Sequence, residues 1–289
     1  MMKNEHRKIR MTLRFLFLIV LLALRAQPSD VNFFLQLSDP QFGMFADNKD
    51  FRQETINFEF AIATANRLRP KFVVICGDLI NQAGNAAQTA EFHRIAAKLD
   101  PAIKLYNVAG NHDVENQPTP ATLAAYREKF GPDYYSFRSG DLAGFVLNSS
   151  LIAAPAKAQA EADRQEAWLK AELAKPRPEG VRHRVIFQHH SWFLEKADEP
   201  DQYFNIPAAP RKRYLKLFHD SGVTHVFAGH YHRTAYGRDG ALDMITTGPV
   251  SKPLGKEPSG LRIVVWTDAG IEHQYYGLGS IPHEVPVKK

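Results

Sequence analysis

The chain of 289 residues contains one cysteine, Cys76. A single thiol rules out any internal disulfide framework. Cys76 ends the apolar run Phe72–Cys76 and therefore reads as a small buried residue of a strand. Internal repeats and low-complexity tracts are also lacking, which excludes a repeat architecture. The body of the chain carries no net charge. Of its 36 basic and 31 acidic residues, six basic and one acidic lie in residues 1–26, leaving 30 of each for the rest. The formal charge of +5 thus belongs to the N-terminus. It does not mark a nucleic-acid-binding surface, which needs basic residues concentrated on the folded body.

A long apolar run is missing as well. Phe15–Leu24 is apolar and follows a basic stretch ending at Arg14. It falls short of the roughly 20 residues of a membrane-spanning helix and has the form of a secretory signal. Leu24 and Ala26 give an imperfect small-residue cleavage pattern, with Gln27-Pro28 opening the mature chain. Residues 1–26 are therefore expected to be a signal peptide, and residues 27–289 the working domain. The expected location is periplasmic or secreted. If the segment is not cleaved it is an N-terminal membrane anchor, the only membrane contact expected.

Apolar strand-like runs alternate with helical stretches, which argues for an α/β domain. The expected strands are Asn32–Ser38, Lys71–Cys76, Ile103–Val108, Gly144–Asn148, Arg184–Gln188 and Thr224–Ala228. The expected helices are Gln53–Arg67, Ala87–Leu99, Pro120–Phe130, Asp163–Ala174 and Ala209–Asp220. After Ala228 come short strands with turns, Thr234–Tyr236, Leu242–Thr246, Leu261–Thr267 and Gly270–Tyr275, expected to pair antiparallel. Ile152–Ala162 and Glu195–Pro210 read as loops, the second a candidate substrate-facing segment.

Five of the expected strands end in polar donors. Asp39-Pro40-Gln41, Gly77-Asp78, Gly110-Asn111-His112-Asp113, His189-His190 and Gly229-His230-Tyr231-His232 follow them. In open α/β sheets, ligands bind beyond the carboxyl ends of strands, where residues far apart in sequence converge. The donors include no thiolate, so a soft metal is not indicated. Asp, Asn and His together suit Mn, Fe or Zn, and two ions sharing one carboxylate would use such a mixed set.

This ordered set of motifs, spread over about residues 33–275, resembles the calcineurin-like metallophosphoesterase superfamily. Ser-Asp-Pro-Gln-Phe-Gly, Cys-Gly-Asp-Leu-Ile, Phe-Gln-His-His and Gly-His-Tyr-His-Arg are similar to its calcineurin-like phosphoesterase domain-containing protein 1 branch, whose members are serine/threonine phosphatases. The resemblance implies a four-layer αββα sandwich holding two divalent or trivalent ions. Asp78 would bridge them. Asp39 and His232 would ligate the first ion with Gln41 nearby, and Asn111, His189 and His230 the second. A bridging hydroxide would attack phosphorus, with His112 as catalytic acid oriented by Asp113. Gln41 departs from the superfamily's usual His; an amide oxygen is a harder, weaker donor, which brings Mg or Mn into range. The substrate is expected to be a phosphorylated small molecule or a phosphoprotein. A phosphodiesterase acting on cyclic nucleotides or lipid head groups, and a non-catalytic module binding metal or a phospholigand, are the competing readings.

Neighbouring residues have plainer explanations beside the functional ones. Tyr231 and Arg233 are candidate substrate contacts along with Asn111, since guanidinium matches phosphate geometry. Phe42, Trp192 and Phe193 equally suit core packing. Arg211-Lys212-Arg213 looks like a phosphate-steering patch but opens a helix, where a solvated face is the commoner role. Strand alternation would turn His190 away from the ligands. His93, His219 and His225 read as ordinary surface or core histidines.

Overall fold

The computed structural model describes residues 31–286. Residues 1–26, assigned above to export, lie outside them. Among the described residues, no helix is long and apolar enough to cross a membrane. The strands in chain order are β1 (Asn32–Leu37), β2 (Phe72–Ile75), β3 (Lys104–Asn107), β4 (Tyr135–Ser139), β5 (Leu142–Val146), β6 (His183–Phe187), β7 (His225–Ala228), β8 (Ala235–Asp239), β9 (Leu242–Thr246), β10 (Gly260–Thr267) and β11 (Gly270–Gly277). The helices are α1 (Arg52–Leu68), α2 (Ala86–Ala96), α3 (Asn111–Val114), α4 (Pro120–Phe130), α5 (Ser149–Ala153), α6 (Gln159–Ala174) and α7 (Ala208–Asp220).

The strands form two mixed sheets, ordered β11-β10-β1-β2-β3 and β4-β5-β6-β7-β9-β8. In the first, β1, β2 and β3 are parallel. In the second, β5, β6, β7 and β9 are parallel. Parallel neighbours place their carboxyl ends together, so the loops that follow them meet at one edge of each sheet. Phe34 is central to the core between the sheets. It stacks on Phe72 at 4.7 Å and meets Phe187 and Phe227 of the other sheet edge-on at 5.5 and 5.3 Å. Cys76, Val185, Ile245 and Val264 complete this layer, and Cys76 is fully buried there, as its place in the apolar run implied. The outer face of the second sheet is covered by α6 and α7, through Leu169, Leu173, Tyr214, Leu215 and Phe218. Phe58 of α1 and Phe92 of α2 stack at 5.4 Å on the flank of the first sheet. Helices outside two facing sheets make the four-layer αββα sandwich that the motifs implied.

A buried polar chain ties the sheets together. Arg262 Nε donates to Thr247 Oγ1 at 2.8 Å, Thr247 donates to Gln36 at 2.6 Å, and the Gln36 amide donates to the Ala228 carbonyl at 3.0 Å. A fully satisfied network of this kind fixes one alignment of the layers. It ends on Ala228, one residue before the Gly229-His230 turn.

Several expectations change. The fifth strand starts at Leu142 rather than Gly144, because it forms a hairpin with β4, which alternation in Tyr135–Ser139 did not reveal; the two strands pair Ser139 with Leu142 across Gly140 at φ +60°. Ile152–Ala162 is not an open loop. Its ends fold into α5 and the first turn of α6, as the high helix propensity of its alanines favours. The antiparallel pairing expected after Ala228 is present in β8–β9 and β10–β11, but β9 also runs parallel to β7. Glu195–Pro210 stays irregular up to α7.

Candidate metal centre

Asp39, Asp78 and Asn111 follow β1, β2 and β3 of one sheet; His189 follows β6, and His230 and His232 follow β7 of the other. They converge into two groups, Asp78–His189–His230 and Asp39–Asp78–His232, within each of which the ligand atoms lie within 4.8 Å of one another. Asp78 belongs to both. Its Oδ2 is 3.2 Å from His189 Nε2, and Asp39 Oδ1 is 3.3 Å from His232 Nε2. The Asn111 Oδ1 atom is 2.9 Å from His189 Nε2, which brings the amide into the first group.

The backbone turns sharply to make this possible. Asp39, Gln41, Asp78, His230 and His232 all have positive φ, between 39° and 66°. Non-glycine residues rarely adopt that region, and such strain collects at functional sites. Two glycines supply the space. A Cβ on Gly77, at φ +86°, would run into the His189 ring, and one on Gly229 would run into the Ser38 hydroxyl and the Asp39 carboxylate.

Each ligating imidazole is locked by a main-chain carbonyl at its far nitrogen. His189 Nδ1 donates to Cys76 at 2.8 Å, His232 Nδ1 to Lys252 at 2.7 Å and His230 Nε2 to Tyr203 at 3.1 Å. That turns His189 Nε2 and His232 Nε2 toward the carboxylates and His230 Nδ1 toward His189, the nitrogens that would ligate a metal in place of a proton. Gln41 is oriented by a relay of amides. Gln88 Oε1 accepts the N–H groups of Asn81 and Gln82, so Gln88 Nε2 donates to Asn48 Oδ1, which also receives Asn81 Nδ2. Asn81 Oδ1 then accepts Gln41 Nε2 at 3.1 Å. This fixes the flip of Gln41 and leaves its Oε1 inward. Gln41 Oε1, Asp39 Oδ1 and Asp78 Oδ2 are all buried without a hydrogen-bond partner. Orphaned anionic and carbonyl oxygens are costly unless a cation meets them. The residues therefore fit two hard or borderline divalent ions.

Electrostatics point the same way. Burial opposes the charge on Asp78, but His189, His112 and His230 more than offset it and hold the carboxyl well below its usual range. Burial likewise opposes protonation of His189, yet Asp78 and Asp39 raise it to about 9. His230 is driven down to about 4 by burial and by His189. The site demands positive charge.

His112 is half-buried beside the pair. Its backbone N–H donates to Asp78 Oδ1 at 2.8 Å, and its Nδ1 sits 2.7 Å from the Asn81 carbonyl. The orienting partner is thus Asn81, not Asp113 as expected. Both Asp113 oxygens are occupied by the N–H groups of Leu79, Ile80 and Gly110 at 2.8–3.1 Å, so Asp113 shapes the loops and not the ring. His190 also departs from expectation. The chain has left the strand at that point, so alternation no longer applies, and the ring lies 4.2 Å from that of His230 with Nδ1 held by Ser149 at 2.9 Å. It packs on the His230 ring rather than pointing away from the ligands.

Phe42, Trp192 and Phe193 are fully buried and belong to the core. Tyr231 carries the Arg233 guanidinium 4.9 Å over its ring, and Arg233 Nε donates to the Leu254 carbonyl at 3.0 Å. Arg211 is no steering residue. It is buried and donates to the carbonyls of Ile206, Ala197 and Glu199, while Arg213 pairs with Glu166. Sequence reasoning missed Asn81 and Tyr203. Asn81 lies three residues past Asp78, which was its only signal. Tyr203 sits in the loop marked as substrate-facing, and its ring is 4.9 Å from that of His230.

Two facing sheets whose strand ends assemble Asp, Asn and His donors around a shared carboxylate define a metallophosphoesterase, a hydrolase of phosphoric esters. The chain belongs to the calcineurin-like phosphoesterase family, whose model it matches over residues 34–234. It is 38% identical over 265 residues to the human serine/threonine-protein phosphatase CPPED1, covering 86% of this chain and 84% of that one. Among solved structures it resembles a dimetal phosphatase from Danio rerio, with a TM-score of 0.62, 17% identity and coverage of 86% of this chain and 96% of that chain. The yellow lupin purple acid phosphatase PPD1 gives a TM-score of 0.62 at 13% identity, covering 90% of this chain and 57% of that one. At these identities the two structures speak for the fold alone.

Proposed function

We propose that this metallophosphoesterase hydrolyses phosphomonoesters, with phosphoserine and phosphothreonine of proteins the leading class. The reading is carried by the two donor groups sharing Asp78, and the substrate class is supported by the CPPED1 relatives. Divalent ions at these positions would neutralise charge on the phosphoryl oxygens and supply a nucleophile at neutral pH. Mn, Fe and Zn suit the donors, and the Gln41 oxygen also admits Mg. The chain's own contribution is positional. Asp39, Gln41, Asp78, Asn111, His189, His230 and His232 fix the seat of the phosphoryl group. His112, with Nδ1 committed to Asn81, presents Nε2 as the nitrogen that holds a proton for the departing oxygen. We propose further that residues 1–26 direct export, with retention as an anchor if they stay attached. Cell fractionation with N-terminal sequencing of the mature protein tests this.

The test of the activity uses purified protein stripped of metal and reloaded with Mn or Fe. It is offered an aryl phosphate and a bis-aryl phosphate. Faster monoester turnover supports the reading, and preference for the diester sinks it. Asp78→Asn should abolish turnover and lower metal content. His112→Ala should lower kcat by about 10²–10⁴-fold with metal content unchanged, the range for loss of a general acid.

A further inference from the structure

We propose that Tyr203 is a specificity-determining residue, its phenol a hydrogen-bond donor to the phosphoryl group and its ring one wall of a subsite for an apolar leaving group. This rests on the phosphomonoester reading above and, within it, favours an aryl or apolar ester over phosphoserine and phosphothreonine. The main chain of Tyr203 is already part of the site, because its carbonyl receives His230 Nε2–H at 3.1 Å. The side chain therefore cannot be far from the second donor group. It lies over His230, with ring centroids 4.9 Å apart, and is 60% exposed, so a ligand can reach it.

The hydroxyl has a defined neighbour. Asn111 Oδ1 is turned to His189, and Asn111 Nδ2 donates one hydrogen to Asn116 Oδ1 at 3.0 Å. Burial and Asp78 hold the Tyr203 phenol above its ordinary range, and hydrogen bonding to the Asn111 side chain only partly offsets them. An oxygen that accepts from Asn111 keeps its own proton for another partner. The donor thus stands at the rim of the seat that Asn111 and His230 define.

The wall continues beyond Tyr203. Phe204 packs edge-on against Tyr203 at 5.1 Å and against Tyr231 at 5.0 Å, and Arg233 covers Tyr231. This side of the site presents ring faces rather than a row of cations. It suits a flat or apolar group next to the phosphate, as an aryl phosphate offers, more than a small hydroxylated one. The loop is also held firmly. Glu199 accepts the N–H groups of Leu194, Glu195 and Lys196 at 2.8–3.2 Å and the Asn205 amide at 2.7 Å. A subsite on so fastened a loop can discriminate by shape.

The experiment compares wild type, Tyr203→Phe and Tyr203→Ala, each loaded with Mn. It measures KM and kcat for an aryl phosphate and for glycerol 2-phosphate, inhibition by inorganic phosphate, and metal content. Tyr203→Phe should raise KM for both esters and the phosphate inhibition constant by about tenfold, the size of one hydrogen bond to a charged group. Metal content should stay at the wild-type level, since the carbonyl that holds His230 is retained. Tyr203→Ala should in addition lower the preference for the aryl over the glycerol ester by about a further tenfold. Phosphate inhibition within twofold of wild type in Tyr203→Phe overturns the donor role. Loss of metal in parallel with activity makes Tyr203 structural and also overturns it. Preference of the wild type for a diester would defeat the phosphomonoester reading instead, and it is read in the wild type alone.

Discussion

Replacing Arg211 with leucine probes what fastens the loop at the active site. The guanidinium is 1% exposed and donates to Ile206 at 3.0 Å, Ala197 at 3.1 Å, Glu199 at 2.7 Å and the Asp201 carboxylate at 3.1 Å. Leucine fills part of the volume but strands three carbonyls. A buried acceptor without a donor costs about 1–3 kcal/mol, so three of them bound the loss at about 3–9 kcal/mol, and the exposed Asp201 adds little. The loop can relax toward water, so the total should sit at about 3–5 kcal/mol. At roughly 2–4 °C per kcal/mol for a chain of this order of size, the melting temperature should fall by about 6–20 °C. Exposed Lys212→Ala should change stability by less than about 0.5 kcal/mol. The assay is thermal unfolding followed by circular dichroism, with limited proteolysis of the native protein. Arg211→Leu should be cut first between Glu195 and Pro210. A variant as stable and as protease-resistant as Lys212→Ala would refute the assignment. A salt-dependent rise in KM for Lys212→Ala and Arg213→Ala would restore the phosphate-steering role that the sequence suggested.

Other outcomes follow from the same geometry. Gly229→Ala should reduce bound metal severalfold, because its Cβ would displace the Ser38 hydroxyl and Asp39 Oδ2; metal analysis after dialysis measures this. Phe34→Ala should destabilise the fold by about 3–5 kcal/mol in denaturant unfolding, the usual range for a buried phenylalanine, since its ring touches both sheets. Burial lowers His225 and His273 to about 4, with Arg262 adding to the effect on His273, whose Nδ1 is 2.9 Å from that guanidinium. The unfolded chain binds these protons near 6.5, so between about pH 6.5 and pH 4 it holds more protons than the native state. Stability should therefore decline as pH falls through that window, and His273→Gln should flatten the decline in a pH series of melting curves.

The sequence displayed the strands of the active site because each combines a β-rich apolar run with a polar residue immediately after it. Asn32–Leu37 before Asp39 and Phe72–Ile75 before Asp78 are legible for that reason. Tyr135–Ser139 was not, because its exposed face alternates Ser136 and Arg138 at a sheet edge and no donor follows. The donors themselves were readable as motifs, whereas what holds them was not. Cys76, Asn81, Tyr203 and Lys252 contribute carbonyl oxygens, which every residue possesses, so side-chain identity carries no trace of that work. Asp113 misled for the converse reason. A carboxylate one residue from a catalytic imidazole suggests a charge partner, but the turn of α3 gives its oxygens to backbone N–H groups instead. Arg211 looked like part of a surface patch because a run of three cations does not reveal which one faces inward.

Each donor group draws on both sheets: Asp39, Asp78 and Asn111 on one, His189, His230 and His232 on the other. A chain emerging from the ribosome lacks one member of each group until it is synthesised past His230 and His232, and β10, which pairs with β1, comes later still. Capture of a cation by a complete group therefore waits until most of the chain has been made. Incomplete chains hold no finished trap for free metal, and bound metal becomes a reporter that the two halves have found each other.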